Sequence, residues 1–186
     1  MTALLDLAGD GFFTLVDLLD AAKAGFPAEI PAPIDTRFHE IASAYRKADP
    51  ALRQQVRDQI PTEYWQPLLG ICDRCAEWAM VDKDPVHIED GLTAFCLEDF
   101  RFDPKENFVH LSMLWYAAKT LHADTVGLFN QIGRYGSPHG LQELSDFSAR
   151  PEDAKSPWSM GLETYQEAGH TRFRARRPKA AKTPHK

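Results

Sequence analysis

Two cysteines three positions apart are the residues whose types and spacing most directly suggest chemistry. Cys72 and Cys75 flank Asp73 and Arg74, and on a helix side chains at i and i+3 lie on the same side. Such a pair can alternate between dithiol and disulfide when a positive charge or a helix N-terminus lowers the thiol pKa. Both cysteines also occupy apolar positions of the helical pattern, where cysteine behaves as a small hydrophobe. We favour this core-packing interpretation and keep redox chemistry as the alternative.

A CxxC pair in an all-helical chain resembles the alkylhydroperoxidase-D-like proteins. In those proteins a histidine stands four residues after the second cysteine, and the resemblance implies a thiol enzyme with Cys72 and Cys75 as its redox pair. In this sequence Ala79 stands at that position, so the expected proton-handling partner is missing. The resemblance covers only the two cysteines.

A second group of candidate site residues lies in the most apolar stretch, residues 103–122. The stretch opens with Asp103-Pro104, a capping side chain followed by proline at the first helical position, and is apolar on nearly every side from residue 108 to residue 118. A helix that is apolar all round is buried by its neighbours. We therefore expect this segment to be the central helix of the domain.

His110, Trp115 and Tyr116 on that helix, with Glu106 one turn earlier, could line a pocket for a small molecule. The structural alternative is that His110 is a buried histidine whose ring is satisfied by Glu106. We favour the structural role, because catalysis needs a second perturbed group in the same pocket.

Metal ligands are sparse at the spacings that metals need. Glu106 and His110 could share an ion, but the sequence lacks the two Glu-x-x-His pairs that a helical di-iron site needs. Near the cysteine pair only Cys96 and His39 could extend a zinc site, and neither has the usual spacing. We expect no metal and no cofactor.

Other polar clusters have simpler interpretations. Gly133-Arg-Tyr-Gly136 follows no predicted strand, so we interpret it as a helix stop and a turn rather than a phosphate loop. The acidic pairs Glu89-Asp90 and Glu98-Asp99 flank one predicted helix, and we interpret them as a solvated face. The Gly-x-Ser-x-Gly motif of serine hydrolases is absent.

The pattern around these residues predicts an all-α fold of antiparallel helix hairpins. Helices are expected near residues 12–22 and 36–47 and from residues 50, 67, 85, 104, 125 and 138, with a proline-rich connector over 27–33. Alternate starts between 50 and 138 are separated by roughly 34–40 residues, and this period resembles that of HEAT-like or TPR-like repeat proteins. A compact irregular bundle predicts similar spacing, so both arrangements stay open.

The chain divides into three parts. We expect an all-helical domain over residues 1–150, an extension over 151–175 that packs on it, and a disordered basic tail over 176–186. Within the extension, 162–166 and 171–175 are expected either to pair as a small β-hairpin around 167–170 or to run as extended chain on the body.

The charge distribution guides the functional expectation. The net charge is −6, yet residues 170–186 hold seven of the 21 basic residues and no acidic one. The remaining acidic body disfavours nucleic acid and anionic membrane and favours a basic protein partner. No apolar run approaches the roughly 20 residues that span a bilayer, and three cysteines fit a reducing compartment, so we expect a soluble cytoplasmic protein.

The leading expectation is a non-enzymatic domain that binds another protein through an acidic surface. In size and charge the chain is similar to small helical adaptors and to toxin-neutralising immunity proteins. The alternatives are a thiol redox enzyme using Cys72 and Cys75, and a small-molecule-binding helical domain.

Overall fold

The computed structural model describes residues 32–148 and 162–175. These residues form packed helices and one two-stranded antiparallel sheet, which confirms the predicted fold class. A single 3-10 turn over Thr62–Tyr64 joins the second and third helices. In chain order the helices are α1 Ala32–Lys47, α2 Pro50–Gln59, α3 Trp65–Asp82, α4 Val86–Glu98, α5 Pro104–Thr120, α6 Thr125–Phe129, α7 Ile132–Tyr135 and α8 Pro138–Ser148.

Helix starts follow the capping residues of the sequence. The side chain of Asp49 accepts a hydrogen bond from the Leu52 N–H at the start of α2. The Asp103 side chain accepts from the Lys105 N–H at the start of α5, and the Asp124 side chain accepts from the Gly127 N–H at the start of α6. Each aspartate satisfies one of the backbone donors that a helix N-terminus leaves without an intrahelical partner.

Three boundaries differ from the predicted ones. α1 begins at Ala32, so Pro33 lies in a helical first turn, where proline is tolerated. α3 begins at Trp65, two residues before Pro67. The helix predicted from residue 125 is split into α6 and α7, with Asn130 between them. The helix expected near residues 12–22 lies outside the described residues, as does most of the connector.

The central helix is α4, and the prediction that residues 104–122 form it was wrong. All residues from 90 to 98 are buried, and α4 packs against α1, α2, α3, α5 and α7. By contrast α5 has a partly open side, where Met113 and Trp115 are half-buried and Tyr116 is 60% exposed.

Small side chains explain why α4 occupies the centre. A Cβ at Gly91 would lie 2.6 Å from Leu114 Cδ2 and 3.0 Å from Cys75 Cβ, so the backbone of α4 approaches its neighbours closely there. The sequence-based argument weighed hydrophobicity alone. Interior packing depends on how closely backbones approach as well as on hydrophobicity.

Three of the four acidic residues at the ends of α4 were also misinterpreted, whereas the Glu89 side chain is 42% exposed, as predicted. Asp90, Glu98 and Asp99 are buried rather than solvated, with side chains 2%, 0% and 8% exposed. Each has a partner: Asp90 pairs with Arg46, Asp99 accepts a hydrogen bond from the Ser137 N–H, and Glu98 accepts from successive backbone N–H groups. Buried charges are retained where such partners exist.

The C-terminal hairpin forms as predicted, with one more residue in each strand. β1, Leu162–Glu167, pairs antiparallel with β2, His170–Ala175, around Ala168 and Gly169, which both have positive φ. Phe173 of β2 is buried and packs the hairpin against the helices. The hairpin contacts α6, α7 and α8.

The packing favours an irregular bundle over a stack of repeats. In a repeat stack each unit contacts only the units next to it. Besides its neighbours α3 and α5, α4 contacts α1 and α2, which precede it by three and two helices, and α7, which follows it by three. Within residues 32–148 and 162–175 nothing marks a HEAT-like or TPR-like unit. In the same ranges, the helices are either too short or too polar to cross a membrane.

Candidate functional site

The cysteine pair lies on α3 inside the core. Cys72 is 0% and Cys75 1% exposed, and neither forms a disulfide in the described part of the chain. Burial raises the pKa of the Cys72 thiol well above its ordinary value, and the neighbouring Asp73 carboxylate raises it further. Cys96 on α4 is likewise buried, and its pKa is raised to about 12. Thiolate formation is therefore disfavoured in the surroundings of these residues.

His110 pairs with a different carboxylate from the one predicted. Its Nδ1 lies 2.6 Å from Oδ1 of Asp73 on α3, whereas Glu106 is exposed. Trp115 lies beneath the ammonium of Lys119, 4.9 Å from the ring centroid, and Tyr116 faces solvent for most of its surface. Neither of the two cavities described below is lined by His110, Trp115 or Tyr116.

Five arginines meet at a cavity of about 670 Å³ between the helices and the hairpin. We call it the arginine cavity. None of the described residues in its wall is acidic, although the chain as a whole is. The wall consists of Arg46, Pro50, Arg53, Gln54, Arg57, Asn130, Gly133, Arg134, Tyr135, Gly136, Pro138, His170 and Arg172.

Four elements supply the cations. Arg46 belongs to the end of α1, and Arg53 and Arg57 lie one turn apart on α2, so they share a side of that helix. Arg134 belongs to α7, and Arg172 to β2. These elements meet because α4 holds α1, α2 and α7 around it and the hairpin closes on α7.

Arg57 forms the buried base of the cavity. It is 5% exposed, and its guanidinium donates to the Tyr45 hydroxyl, the Tyr135 carbonyl and the Gln54 side chain. Its Nε has no hydrogen-bond partner among the described residues. The nearest carboxylate is Asp99, whose Oδ1 is 3.9 Å from Nε. The partners that bond to Arg57 directly are therefore neutral.

The Asp99 carboxylate compensates only part of the positive charge of Arg57. Its Oδ1 accepts from the Ser137 N–H at 3.1 Å, and its Oδ2 lies 3.7 Å from the guanidinium of Arg101. One carboxylate is thus shared between two arginines, and positive charge remains in excess at the base of the cavity.

Arg46 has a mainly structural role. Its Nη1 donates to Asp90 Oδ1 and to the Thr93 hydroxyl, each at 2.9 Å. His39 Nδ1 lies 2.8 Å from the other oxygen of Asp90. Because Asp90 compensates Arg46 directly, this arginine contributes less free charge to the cavity than the others do.

Arg53 and Arg134 have no carboxylate partner within the described part of the chain. Arg53 donates to the carbonyl oxygen of Ala48 and, at 2.9 Å, to that of Arg134. Its guanidinium also lies over the Tyr135 ring, 5.4 Å from the centroid. Arg134 is exposed. These two side chains carry the uncompensated charge of the cavity wall.

The hairpin supplies the remaining wall, and the Asn130 side chain bonds to its backbone. Oδ1 of Asn130 accepts from the Phe173 N–H at 2.8 Å, and its Nδ2 donates to the Phe173 carbonyl at 3.3 Å. The neighbouring Arg172 is half-buried, and its Nε lies 3.7 Å from Glu167. Asn130 thereby places Arg172 at the cavity.

A second cavity, of about 560 Å³, lies along α1. It is mixed in character, with one lysine, one glutamate and one histidine among its lining residues, and it lacks the concentration of like charge seen in the arginine cavity. Its described wall consists of His39, Glu40, Ser43, Ala44, Lys47, Ala48 and Leu52.

Sequence reasoning did not identify the arginine cavity. The one available signal was the i, i+4 spacing of Arg53 and Arg57 on a predicted helix, two like charges on one side that an isolated helix disfavours. The segment 133–136 was interpreted as a helix stop and a turn, but Gly133 to Tyr135 lie inside α7 and only Gly136 caps it. The segment also forms part of the cavity wall.

The described residues contain no group of three or more histidine, cysteine or carboxylate side chains arranged to hold a metal ion. Comparison with protein-family models, with curated proteins and with solved structures finds no match for this chain. The functional assignment therefore depends on the geometry of the arginine cavity.

Proposed function

We propose that this chain is a binding protein whose ligand is an anion held in the arginine cavity. The observation that carries the proposal is that five arginines line a single concavity in a chain of net charge −6. The proposal combines the expected non-enzymatic binding role with the small-molecule alternative, and it relocates the binding site from α5 to the cavity.

The electrostatic cost of placing several arginines around one cavity supports this interpretation. Like charges gathered in one concavity repel each other, and low-dielectric walls strengthen the repulsion. Arg53 and Arg134 lack carboxylates among the described residues that would offset this cost. An anionic ligand would offset it, and the cavity volume lies within the roughly 300–1,000 Å³ usual for small-molecule sites.

The choice of residue supports an oxyanion in particular. All the side chains of fixed positive charge in the described wall are arginines, with no lysine. The planar guanidinium presents paired donors that match the oxygens of a carboxylate or a phosphate.

From the sequence we expected an acidic surface that binds a basic partner, whereas the proposed binding site is positively charged. The contact that this cavity favours is with an anion, whether free or carried by another molecule. The thiol-enzyme alternative has less support, because Cys72 and Cys75 are buried and burial raises the pKa of Cys72.

Titration calorimetry and thermal unfolding with citrate and pyrophosphate at low ionic strength test the proposal. Ligand at about 100 times its Kd should stabilise the fold by about 2.7 kcal/mol. Arg134→Gln should weaken binding at least tenfold, and Arg53→Lys, which keeps charge but loses the paired donors, should weaken it less.

Arg74→Gln is the matched control. Arg74 is a half-buried arginine on α3 that pairs with Glu77 at 2.8 Å and does not line the cavity. Binding should be unchanged in this variant. Equal loss in Arg74→Gln and Arg134→Gln, or stabilisation no greater than that produced by chloride at matched ionic strength, would overturn the proposal.

A further inference from the structure

We infer that the anion in the arginine cavity is a phosphoryl group, and that the natural ligand is a phosphorylated small molecule. The inference rests on the function proposed above. Its basis is that Arg53, Arg134 and Arg172 line one cavity from three separate elements, α2, α7 and β2.

The directions of approach distinguish a phosphoryl group from a carboxylate. A carboxylate has two oxygens in one plane, and it meets paired donors best within that plane. A terminal phosphoryl group has three oxygens distributed around phosphorus and accepts hydrogen bonds from several sides. Arginines supplied by a helix, a second short helix and a strand are arranged for the second kind of acceptor.

The concentration of charge points the same way. Arg57 lies behind these three arginines, and the one carboxylate that the described residues place within 4 Å of it, Asp99, is shared with Arg101. A phosphate monoester carries about −1.5 to −2 on a single group near pH 7. One phosphoryl group can therefore neutralise charge that would require two carboxylates placed separately.

The cavity has space for more than the phosphoryl group. At about 670 Å³ it is of small-molecule size, and Pro50, Pro138 and the Tyr135 ring give part of its wall an apolar character. Arg53 already covers the Tyr135 ring on one side. A cavity of this size on an acidic chain suits a compact ligand better than an extended polyanion, which the body would repel.

Two pairs of compounds test the inference at pH 7.5 and constant ionic strength, by calorimetry on the full chain. The first pair is glycerol 3-phosphate and succinate, and the second is pyrophosphate and citrate. Each phosphate is thus compared with a carboxylate of similar charge. We expect the phosphate of each pair to bind at least tenfold more tightly. That ratio should fall towards one in Arg134→Gln and in Arg172→Gln, and persist in the control Arg74→Gln.

A pH series separates the shape of the anion from its charge. The second pKa of a phosphate monoester is about 6, whereas a sulfate monoester has the same shape and keeps a single charge. His170 and Tyr135 are titratable side chains in the described wall besides the arginines, and Glu167 lies beside Arg172. Their protonation affects both esters, so the phosphate-to-sulfate affinity ratio should fall between pH 7.5 and pH 5.5 through loss of the dianion.

The outcomes are distinguishable. Carboxylates that bind as tightly as the matched phosphates, or an affinity ratio independent of pH, overturn the phosphoryl inference and leave the anion-binding proposal standing. A single-stranded oligonucleotide that binds more tightly than every small phosphate overturns the small-molecule assignment. Absence of binding by all of these anions overturns the inference and the proposed function together.

Discussion

The guanidinium of Arg53 donates to the carbonyl oxygen of Arg134 at 2.9 Å, across 81 residues of sequence. The bond holds α2 against α7 and brings two arginines to one cavity although neither has a carboxylate partner among the described residues. Such an arrangement opposes stability, because like charges within a Debye length of about 10 Å repel. Sites that bind ligands commonly retain local features of this kind at the expense of stability.

Removing this repulsion should stabilise the unliganded protein. Arg134→Gln abolishes one charge while the Arg134 carbonyl that accepts from Arg53 remains. We expect a higher thermal midpoint than wild type in low salt, and a smaller difference in high salt because salt screens the repulsion. Thermal unfolding at two salt concentrations without added ligand measures both. A lower midpoint in Arg134→Gln at low salt would contradict this account of the cavity.

Gly91 should resist even the smallest side chain. In Gly91→Ala the new Cβ would lie 2.6 Å from Leu114 Cδ2 and 3.0 Å from Cys75 Cβ. We expect a loss of about 1–3 kcal/mol from overpacking, which outweighs the gain of about 1 kcal/mol in helix propensity. Urea denaturation gives the difference.

Gly70→Ala on α3 is the matched control for Gly91→Ala. Nothing lies within 4 Å of a Cβ built at Gly70, so the substitution should stabilise by about 0.5–1 kcal/mol through helix propensity alone. If both alanines shift stability in the same direction, α4 does not pack as closely as described.

Stability should fall as pH rises through neutrality because of Glu98. Burial raises the pKa of this carboxyl to about 7, although backbone N–H groups of Arg101, Phe100 and Phe102 lower it. A pKa above the unfolded value means that the folded state holds the proton more tightly. The resulting stabilisation is full below about pH 4.5 and is lost as pH passes 7, a change of about 3 kcal/mol from this group.

Glu98→Gln should flatten that pH dependence, since glutamine carries no titrating proton. Urea denaturation at pH 5, 6.5 and 8 compares the slopes. Glu77→Gln, at a partly exposed position on α3, should keep the wild-type slope. A wild-type slope in Glu98→Gln would show that the carboxyl is not the titrating group.

Cys72→Ser should lower stability. The serine hydroxyl would occupy a fully buried site among apolar side chains, at a cost of about 1–3 kcal/mol. In wild type, an aromatic disulfide reagent should modify the three buried thiols only after denaturant unfolds the chain. Rapid modification of the native protein, with unchanged stability in Cys72→Ser, would support thiol chemistry instead.

Asn130→Ala should loosen the hairpin. It removes both hydrogen bonds to the Phe173 backbone, which we expect to lower the free energy of local opening by about 1–3 kcal/mol. Hydrogen exchange of β1 and β2 amides should accelerate more than in Gln131→Ala, and anion affinity should fall with the displacement of Arg172. Unchanged exchange in Asn130→Ala would mean that the hairpin is held by Phe173 burial alone.

Most helix positions were predictable because the information that defines them is local. Asp49, Asp103 and Asp124 cap the helices that follow them, and each cap involves residues only two or three positions apart. The same holds for the hairpin, whose turn at Ala168 and Gly169 joins adjacent strands. Two short helices, α6 and α7, replace one predicted helix. The break between them lies at Asn130, whose side chain bonds to the Phe173 backbone. Local helix propensity does not encode such a tertiary contact.

Local signals in the chain were enough to predict a helical protein and a candidate hairpin near its C-terminus, because caps, prolines and periodicity act over a few residues. The central position of α4, the burial of Asp90 and Glu98, and the pairing of His110 with Asp73 rather than Glu106 emerge only in the folded arrangement. The same is true of the cavity that Arg53, Arg134 and Arg172 share. These relationships depend on how closely helices distant in sequence can approach, which follows from the packing of the whole chain and not from any one segment.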